Sequence, residues 1–573
     1  MRPEGSRVAR NAWWQISCLC LALTVHAHSQ APTASVTQAV GDSGGRLVPE
    51  TPGQGEDAQL RANSRPWDRE RWAPRTVALF SDDISHVMGF NATLRGHLRL
   101  SGGVEPLNVE PRSVPCGFTD PDDSLEWAVR APERASYAVA VLYHPGSEDN
   151  TGSVIEVRSG NTRLTTAVRR VRDVVWEGGP QDRPSFRRDW FKGVLPLKAG
   201  LNRITLRLAK TTPKQSAAAR QDLAAPLGIW PKRSLHVLSI ELVRPEVLDH
   251  LRKREKELRA PTDWMVDGEY GLFISWVPEV YPLYGTTQAW QHYQEAVNRF
   301  DVEAFAGAVE ETGAAWVVFF TVHGKYYFPG PLQALDHLVP GRTCKRDLVG
   351  EIATALGKRH IRMMLYFHPG PSLIEDREWA SAAGISPVDD ARNNGIMLDI
   401  FREVGHRYGR QLWGWVIDGG YAYYLKNMPF EQLAEALKAG NPGRVVTYFN
   451  WLMPKWHPLG GDFTSNLTYF AALLPPPTPQ EYFGPGGPYE GLQPHFNFTM
   501  EAEWNPKRPL NGSWLPPLYK QQDLVRYFQQ MAARQWPLSI NLVITEDVTS
   551  RQPFFNPASV ELMRSVRRAL KGN

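Results

Sequence analysis

The groups in this chain best suited to chemistry are carboxylates that follow apolar runs. One run is Leu412-Trp-Gly-Trp-Val-Ile-Asp418-Gly-Gly, where an aspartate closes the segment ahead of two glycines; another is Met500-Glu501-Ala-Glu503-Trp504. A pair of carboxylates can cut a glycosidic bond. One attacks or supports the anomeric carbon, and the other, its pKa raised by its surroundings, protonates the departing oxygen. In that scheme Asp418 is one of the pair and Glu501 or Glu503 the other. His323 and His368 also follow apolar runs, and Trp276, Tyr326, Trp415 and Trp451 could present flat apolar faces to the C–H face of a sugar ring. The structural alternatives are a strand-ending aspartate that bonds its own turn, and histidines that pack or cap. Other chemistries lack their signatures: beyond the stretch 30–66 there is no Gly-x-Ser-x-Gly, and there is no His-Glu-x-x-His and no phosphate-cradling glycine loop. His323, His368 and His495 show no short metal-ligand spacing. No metal and no cofactor is expected.

These residues need a scaffold, and the pattern from 262 to 573 supplies one. Strands are expected at Gly271–Trp276, Trp316–Thr321, Arg362–Phe367, Leu412–Ile417, Val445–Asn450, Asp462–Asn466, His495–Met500 and Leu538–Ile544. Helical patterns separate them, at Thr287–Phe300, Val302–Thr312, Arg346–Arg359, Ala391–Tyr408, Glu431–Ala439 and Gln521–Gln535, and Ala558–Leu570 closes the series. Strands alternating with helices, and apolar almost throughout, indicate a parallel sheet covered on both faces. The expectation is an α/β fold, a (β/α)8 TIM-like barrel, whose chemistry sits at the C-terminal ends of the strands. Asp418 would end the fourth strand and Glu501 and Glu503 would follow the seventh.

The 573 residues exceed what one barrel needs. Short alternating segments such as Ser136–Tyr143, Asn202–Leu208 and Leu235–Val243 lie between turn signals, so 67–248 is expected to be a β-sandwich. A charged segment, 249–261, reads as a solvated linker helix. Tyr143, Trp176 and Trp190, with Arg169, Arg170, Arg172, Arg187 and Arg188, could let the sandwich bind acidic or sulfated glycans. The opposing expectation is a module that only stabilises the barrel. Residues 1–29 have the basic start, the apolar stretch Ala12–Val25 and the small-residue cleavage sites of a secretory signal, followed by a flexible leader at 30–66. A secreted or periplasmic protein is expected, with no membrane span. The net charge of +4, part of it carried by Arg2, Arg7 and Arg10, does not suggest a nucleic-acid partner. Aromatic content, with 20 Trp, suits either a large core or sugar recognition. Oligomeric state is not legible, and neither is whether Cys116 and Cys344 pair.

The same region, about 265–570, resembles the α-L-fucosidases of glycoside hydrolase family 29. Tyr270-Gly-Leu-Phe-Ile-Ser275-Trp276 resembles the family's entry motif, and Phe300-Asp301 through Gly313-Ala-Ala-Trp-Val-Val resembles the family stretch that comes next. Lys345-Arg346-Asp347-Leu348-Val349-Gly350-Glu351, Gly461-Asp462-Phe463-Thr464 and Asn511-Gly-Ser-Trp514 continue the series. The segment Leu412 to Gly419 resembles the one that carries the family's nucleophilic aspartate, which implies that role for Asp418. The resemblance implies a retaining exo-hydrolase acting on an oligosaccharide or polysaccharide. The chain departs from the family at Ser275, where a histidine is usual, at His323-Gly-Lys325-Tyr326, where the family has His-His-Asp-Gly, and at Asn466, near an expected glutamate. Two other readings follow from these departures: a barrel that binds glycans without cleaving them, and a hydrolase for a sugar other than fucose.

Overall fold

The computed structural model describes residues 74–571 except 102–113, 147–149, 170–185, 211–216, 218, 221–233, 279–287, 324, 369–375, 387–388, 419–426, 449–456, 469–479, 486, 488, 502–513 and 546–553. The expected signal and leader, with Arg170, Arg172, Trp176, Trp451 and Glu503, lie outside the described residues.

The N-terminal part consists of two sheets. One runs in the order Thr76–Ala78, Ser124–Ala131, Gly200–Lys210, Val154–Ser159, Thr162–Ala167, with Thr93–Arg95 also paired to Ser124–Ala131. The other runs Arg187–Trp190, Ala135–His144, His236–Val243, Val114–Cys116, Arg99–Ser101, with Leu195–Leu197 and Ser85–Met88 joined to it. Alternation in sequence becomes alternation in space. Leu125, Trp127 and Val129 of one sheet meet Val139, Val141 and Ile240 of the other in a shared core. Trp127 donates its Nε1–H to Met88 O at 2.8 Å, so the largest core ring is satisfied.

The two sheets differ in what covers their outer faces. His236–Val243 is buried along its whole length. Val243 packs with Ile84, Leu248, Leu251, Ala434 and Leu459, which joins the second sheet to the C-terminal part. The helix Pro245–Leu258 contributes Leu248 and Leu251 to this contact. The expected solvated linker is therefore anchored on one side. Its charged side reaches the helix Phe430–Leu437 through Arg254, 3.1 Å from Glu431 and 3.3 Å from Glu435.

The C-terminal part holds one eight-stranded parallel sheet. In chain order the strands are Tyr270–Ile274, Trp316–Val322, Arg362–Phe367, Leu412–Ile417, Val445–Tyr448, Asn466–Thr468, Phe496–Thr499 and Leu538–Asn541. Their order in the sheet is 5-4-3-2-1-8-7-6. Among the described residues the strand ladder does not cross from the fifth to the sixth. Asp462 bridges that seam instead. Its N–H donates to Val446 O at 2.7 Å, and its Oδ2 accepts from Val446 N at 2.9 Å. Thr447 adds a bond from its hydroxyl to Phe463 O at 2.7 Å. The sixth strand, expected at 462–466, thus starts at Asn466, because the residues before it serve the seam.

The two faces of each strand bury different layers. Phe273, Val318, Phe320, Met364, Tyr366, Val416, Val445 and Phe463 form the inner cluster, against Trp264 and Met265 of the short helix Asp263–Gly268. Leu272, Ile274, Val317, Phe319, Leu365, Phe367, Trp415 and Ile417 join the larger cluster shared with the helices. Gly271 is required here: a Cβ would sit 2.3 Å from the Trp316 indole. Cys344 is a free thiol, so it forms no bridge to Cys116. Among the described residues no helix is long and apolar enough to cross a membrane.

Candidate active site

Asp418 follows the fourth strand directly, and its N–H donates to Phe367 O at 2.9 Å, continuing the ladder to the third. Its residue is only 8% exposed. The phenol of Tyr366 donates to Asp418 Oδ2. Tyr366 is held rigidly, stacked on Phe320 at 3.6 Å with the rings 4° apart, and set edge-on to Phe273 at 5.7 Å. His368 lies two residues further along the same strand face, its Nε2 3.6 Å from Asp418 Oδ2. His323, from the end of the second strand, meets the His368 ring edge-on at 5.6 Å. Burial pushes His323 down to about 3, with His368 adding to the effect and Asp418 opposing it. At neutral pH this imidazole is uncharged, able to donate from one nitrogen and accept at the other.

A buried aspartate fixes the chain beyond His323. Asp376 accepts from Tyr326 N at 3.1 Å, from Trp379 N at 3.1 Å and from Arg342 Nη1 at 2.8 Å, and Lys325 Nζ stands 3.6 Å away. Lys325 is thereby committed to an internal ion cluster.

Three expected pocket residues are placed elsewhere. Tyr326 is fully buried, stacked on Trp379 at 3.8 Å, with its hydroxyl 3.4 Å from Met397 Sδ. Trp415 is fully buried on the helix side of its strand, donating its Nε1–H to Leu437 O at 2.9 Å. Trp276 packs against Phe319 at 5.7 Å and Phe300 at 5.0 Å. All three belong to the large cluster shared by sheet and helices; for Trp415 the reason is that an odd step along a strand reverses the face. The sandwich residues need a similar correction. Tyr143 is buried and donates to Asp189 at 2.7 Å, Arg187 pairs with Asp189 at 2.9 Å, and Arg188 pairs with Glu241 at 3.0 Å.

Glu501, after the seventh strand, is 1% exposed. Its Oε2 accepts from Val543 N at 3.2 Å, and its Oε1 accepts from the Ser559 hydroxyl at the start of the last helix. Both oxygens thus take part in holding neighbouring segments together. Two groups escaped the sequence reading, Tyr366 and Asn541. Tyr366 was legible from its two-residue spacing to His368. Ser275 and Asn541 meet at 3.1 Å, Asn541 Nδ2 donating, and only the fold brings them together.

Asn427 and His457 tie the C-terminal part to the N-terminal part. Asn427, at φ 49°, accepts from His86 N at 2.7 Å and donates to Ala78 O at 3.0 Å. His457 Nδ1 accepts from Leu459 N at 3.0 Å, so Nε2 carries the proton and donates to Asp83 Oδ1 at 2.6 Å. Asp83 Oδ2 in turn accepts from Glu431 N at 2.9 Å. Asn427 closes the connection that starts after Asp418, and His457 closes the one after the fifth strand.

A buried strand-end carboxylate, bonded by a phenol and flanked by imidazoles, has the makings of a glycoside hydrolase site. Residues 257–457 match the family model described as Alpha-L-fucosidase. The tissue alpha-L-fucosidase of Homo sapiens is 28% identical over 144 residues, covering 18% of this chain and 30% of that protein. The tissue enzyme of Bos taurus is 26% identical over the same shares. The chain therefore spans under a third of the length of these curated relatives. Among solved structures, alpha-L-fucosidase isoenzyme 1 from Paenibacillus thiaminolyticus has a TM-score of 0.41 at 16% identity, covering 56% of this chain and 76% of that one. The Thermotoga maritima alpha-fucosidase has a TM-score of 0.38 at 15% identity, over 56% and 76%. The chain resembles the α-L-fucosidases of glycoside hydrolase family 29. The matched segment contains Asp418, His323 and His368; Glu501 and Glu503 lie beyond it.

Proposed function

We propose that this protein is a secreted or periplasmic retaining exo-glycosidase of α-L-fucosidase type, acting on an oligosaccharide or polysaccharide. Its framework is a (β/α)8 barrel, with the seam at Asp462 closing the sheet, and an N-terminal β-sandwich over 67–248. Asp418 attacks the anomeric carbon and forms the covalent glycosyl–enzyme bond. The Tyr366 phenol orients the carboxylate beforehand, and His368 and His323 contact the sugar. The acid/base falls to Glu503, since the Glu501 oxygens already accept from Val543 N and the Ser559 hydroxyl. The single observation that supports this reading best is Asp418, placed at the end of a buried strand inside a segment that resembles α-L-fucosidases.

The test is a panel of aryl glycosides given to the wild type and to Asp418→Asn. An aryl α-L-fucoside should be cleaved, and the variant should lose about 10³-fold or more of kcat. Equal turnover by the variant would refute the assignment. A second reading is favoured by Ser275, which stands where fucosidases usually carry histidine and is held by Asn541 at 3.1 Å. A pocket furnished differently at one sugar hydroxyl selects a different sugar, because a polar site left unpaired rejects the wrong ligand strongly. Cleavage of another glycoside in the panel, with the fucoside untouched, would select it.

A further inference from the structure

The first N-terminal sheet has a charged outer face. Counting outward from the buried positions, the exposed side of this sheet carries Arg95, Arg130, Arg158, Arg163, Arg203 and Arg207, against Glu126 and Glu156. The glutamates are shared among three of the arginines: Arg95 at 3.7 Å and Arg203 at 3.4 Å from Glu126, and Arg207 at 2.9 Å from Glu156. The Arg203 side chain is 74% exposed even so. Arg158 and Arg163 stand directly opposite one another across the ladder. Like charges in that position destabilise a sheet. Protection of a sheet edge would explain charge on Thr162–Ala167, but Arg130, Arg203 and Arg207 are on the interior strands Ser124–Ala131 and Gly200–Lys210.

We propose that this arginine face is a docking surface for an anionic polysaccharide, one whose sulfate or carboxylate groups repeat along the chain. The choice of a glycan rests on the glycosidase reading above; the choice of an anionic one rests on the face itself. Guanidinium forks suit sulfate and carboxylate oxygens. Strands about 4.8 Å apart set the arginines in rows that a chain of regularly spaced anions can follow. The outward positions of Ser124–Ala131, Gly200–Lys210, Val154–Ser159 and Thr162–Ala167 hold no Phe, Tyr or Trp. Among the described strand positions the face therefore lacks the rings that stack on neutral sugars or on bases. The opposite sheet is the one that packs on the C-terminal part. Binding here would hold the protein on a polymer without occupying the Asp418 site.

The experiment uses the full chain and the double variant Arg158→Glu/Arg203→Glu. Affinity electrophoresis is run in gels containing heparin, alginate or neutral dextran, with a duplex DNA arm at matched charge. The wild type should be retarded by heparin, alginate or both, with retardation lost at high salt, and should pass dextran unimpeded. Retardation by heparin alone assigns sulfate, and by alginate alone assigns carboxylate. The variant should bind about tenfold or more weakly, while its melting temperature and its aryl-glycoside turnover stay at wild-type values. Unretarded wild type, equal retardation of variant and wild type, or tighter binding to DNA would each overturn the proposal. Loss of all aryl-glycoside turnover with polyanion binding intact would remove the glycosidase reading and leave this face standing.

Discussion

The phenol of Tyr366 donates a hydrogen bond to Oδ2 of Asp418, across two adjacent parallel strands. The ring cannot swing away, since it is stacked on Phe320 at 3.6 Å. The relationship holds one carboxylate oxygen in place. Tyr366→Phe keeps the stack and removes the donor. It should lower kcat by about 10- to 100-fold with KM little changed, as expected for an interaction that matters in the transition state. Steady-state kinetics on the best substrate of the panel checks this; an unchanged kcat would remove the role.

The N-terminal sheets should matter for turnover although, among the described residues, they supply no group to the site. Asp83 connects to His457 at 2.6 Å and to Glu431 N at 2.9 Å, across 374 and 348 positions. Asp83→Ala leaves a buried imidazole N–H without its acceptor, costing about 1–3 kcal/mol. Urea unfolding should show the loss of stability. Kinetics at a temperature where the variant is fully folded should show kcat/KM reduced, and the conservative Asp83→Asn should restore part of it.

Asp462 joins elements that are distant in sequence. Besides the seam to Val446, it accepts from Lys438 Nζ at 2.8 Å and from Ala260 N at 2.8 Å. Burial pulls the Lys438 pKa down and Asp462 opposes that shift. Removing the aspartate strands a buried cation, so Asp462→Ala should cost about 3–5 kcal/mol. Lys438→Met added to it should recover part of the loss. Denaturant midpoints of the single and double variants decide it; additive losses would contradict the pairing.

Acid stability follows from buried histidines. Burial pushes His236 and His495 down to about 3, and both side chains are essentially inaccessible. In the unfolded chain these imidazoles titrate near 6.5. The unfolded state therefore binds more protons between those values, and stability present above about 6.5 is lost as pH falls towards 3. Each such histidine adds a slope of about 1.4 kcal/mol per pH unit in that window. Urea midpoints from pH 7 to pH 4 should fall steeply, and His495→Gln should flatten the curve relative to wild type.

The sequence revealed the elements better than the faces. The helix Val302–Thr312 and the strands Arg362–Phe367 and Leu412–Ile417 fall at their expected positions. A strand buried on both sides carries no polar stripe to mark its inner face, so Trp415 could be taken for a pocket residue. Counting in steps of two from Asp418 assigns Val416 to its face and Trp415 to the other, and the same step joins Tyr366 to His368. The seam at Asp462 and the ties at Asn427 and His457 had no local signature. Each depends on a partner brought near by the whole fold, as when His86 N meets Asn427 Oδ1 across 341 positions.

The central claim is that Asp418 forms the covalent bond to the sugar. A 2-deoxy-2-fluoro glycosyl fluoride of the sugar accepted in the panel slows release of the glycosyl–enzyme and lets it accumulate. Intact-mass measurement should show one added glycosyl unit, and peptide mapping should place it on the segment containing Asp418, with no label on Asp418→Asn. A label on another carboxylate, or equal labelling of the variant, would contradict the account.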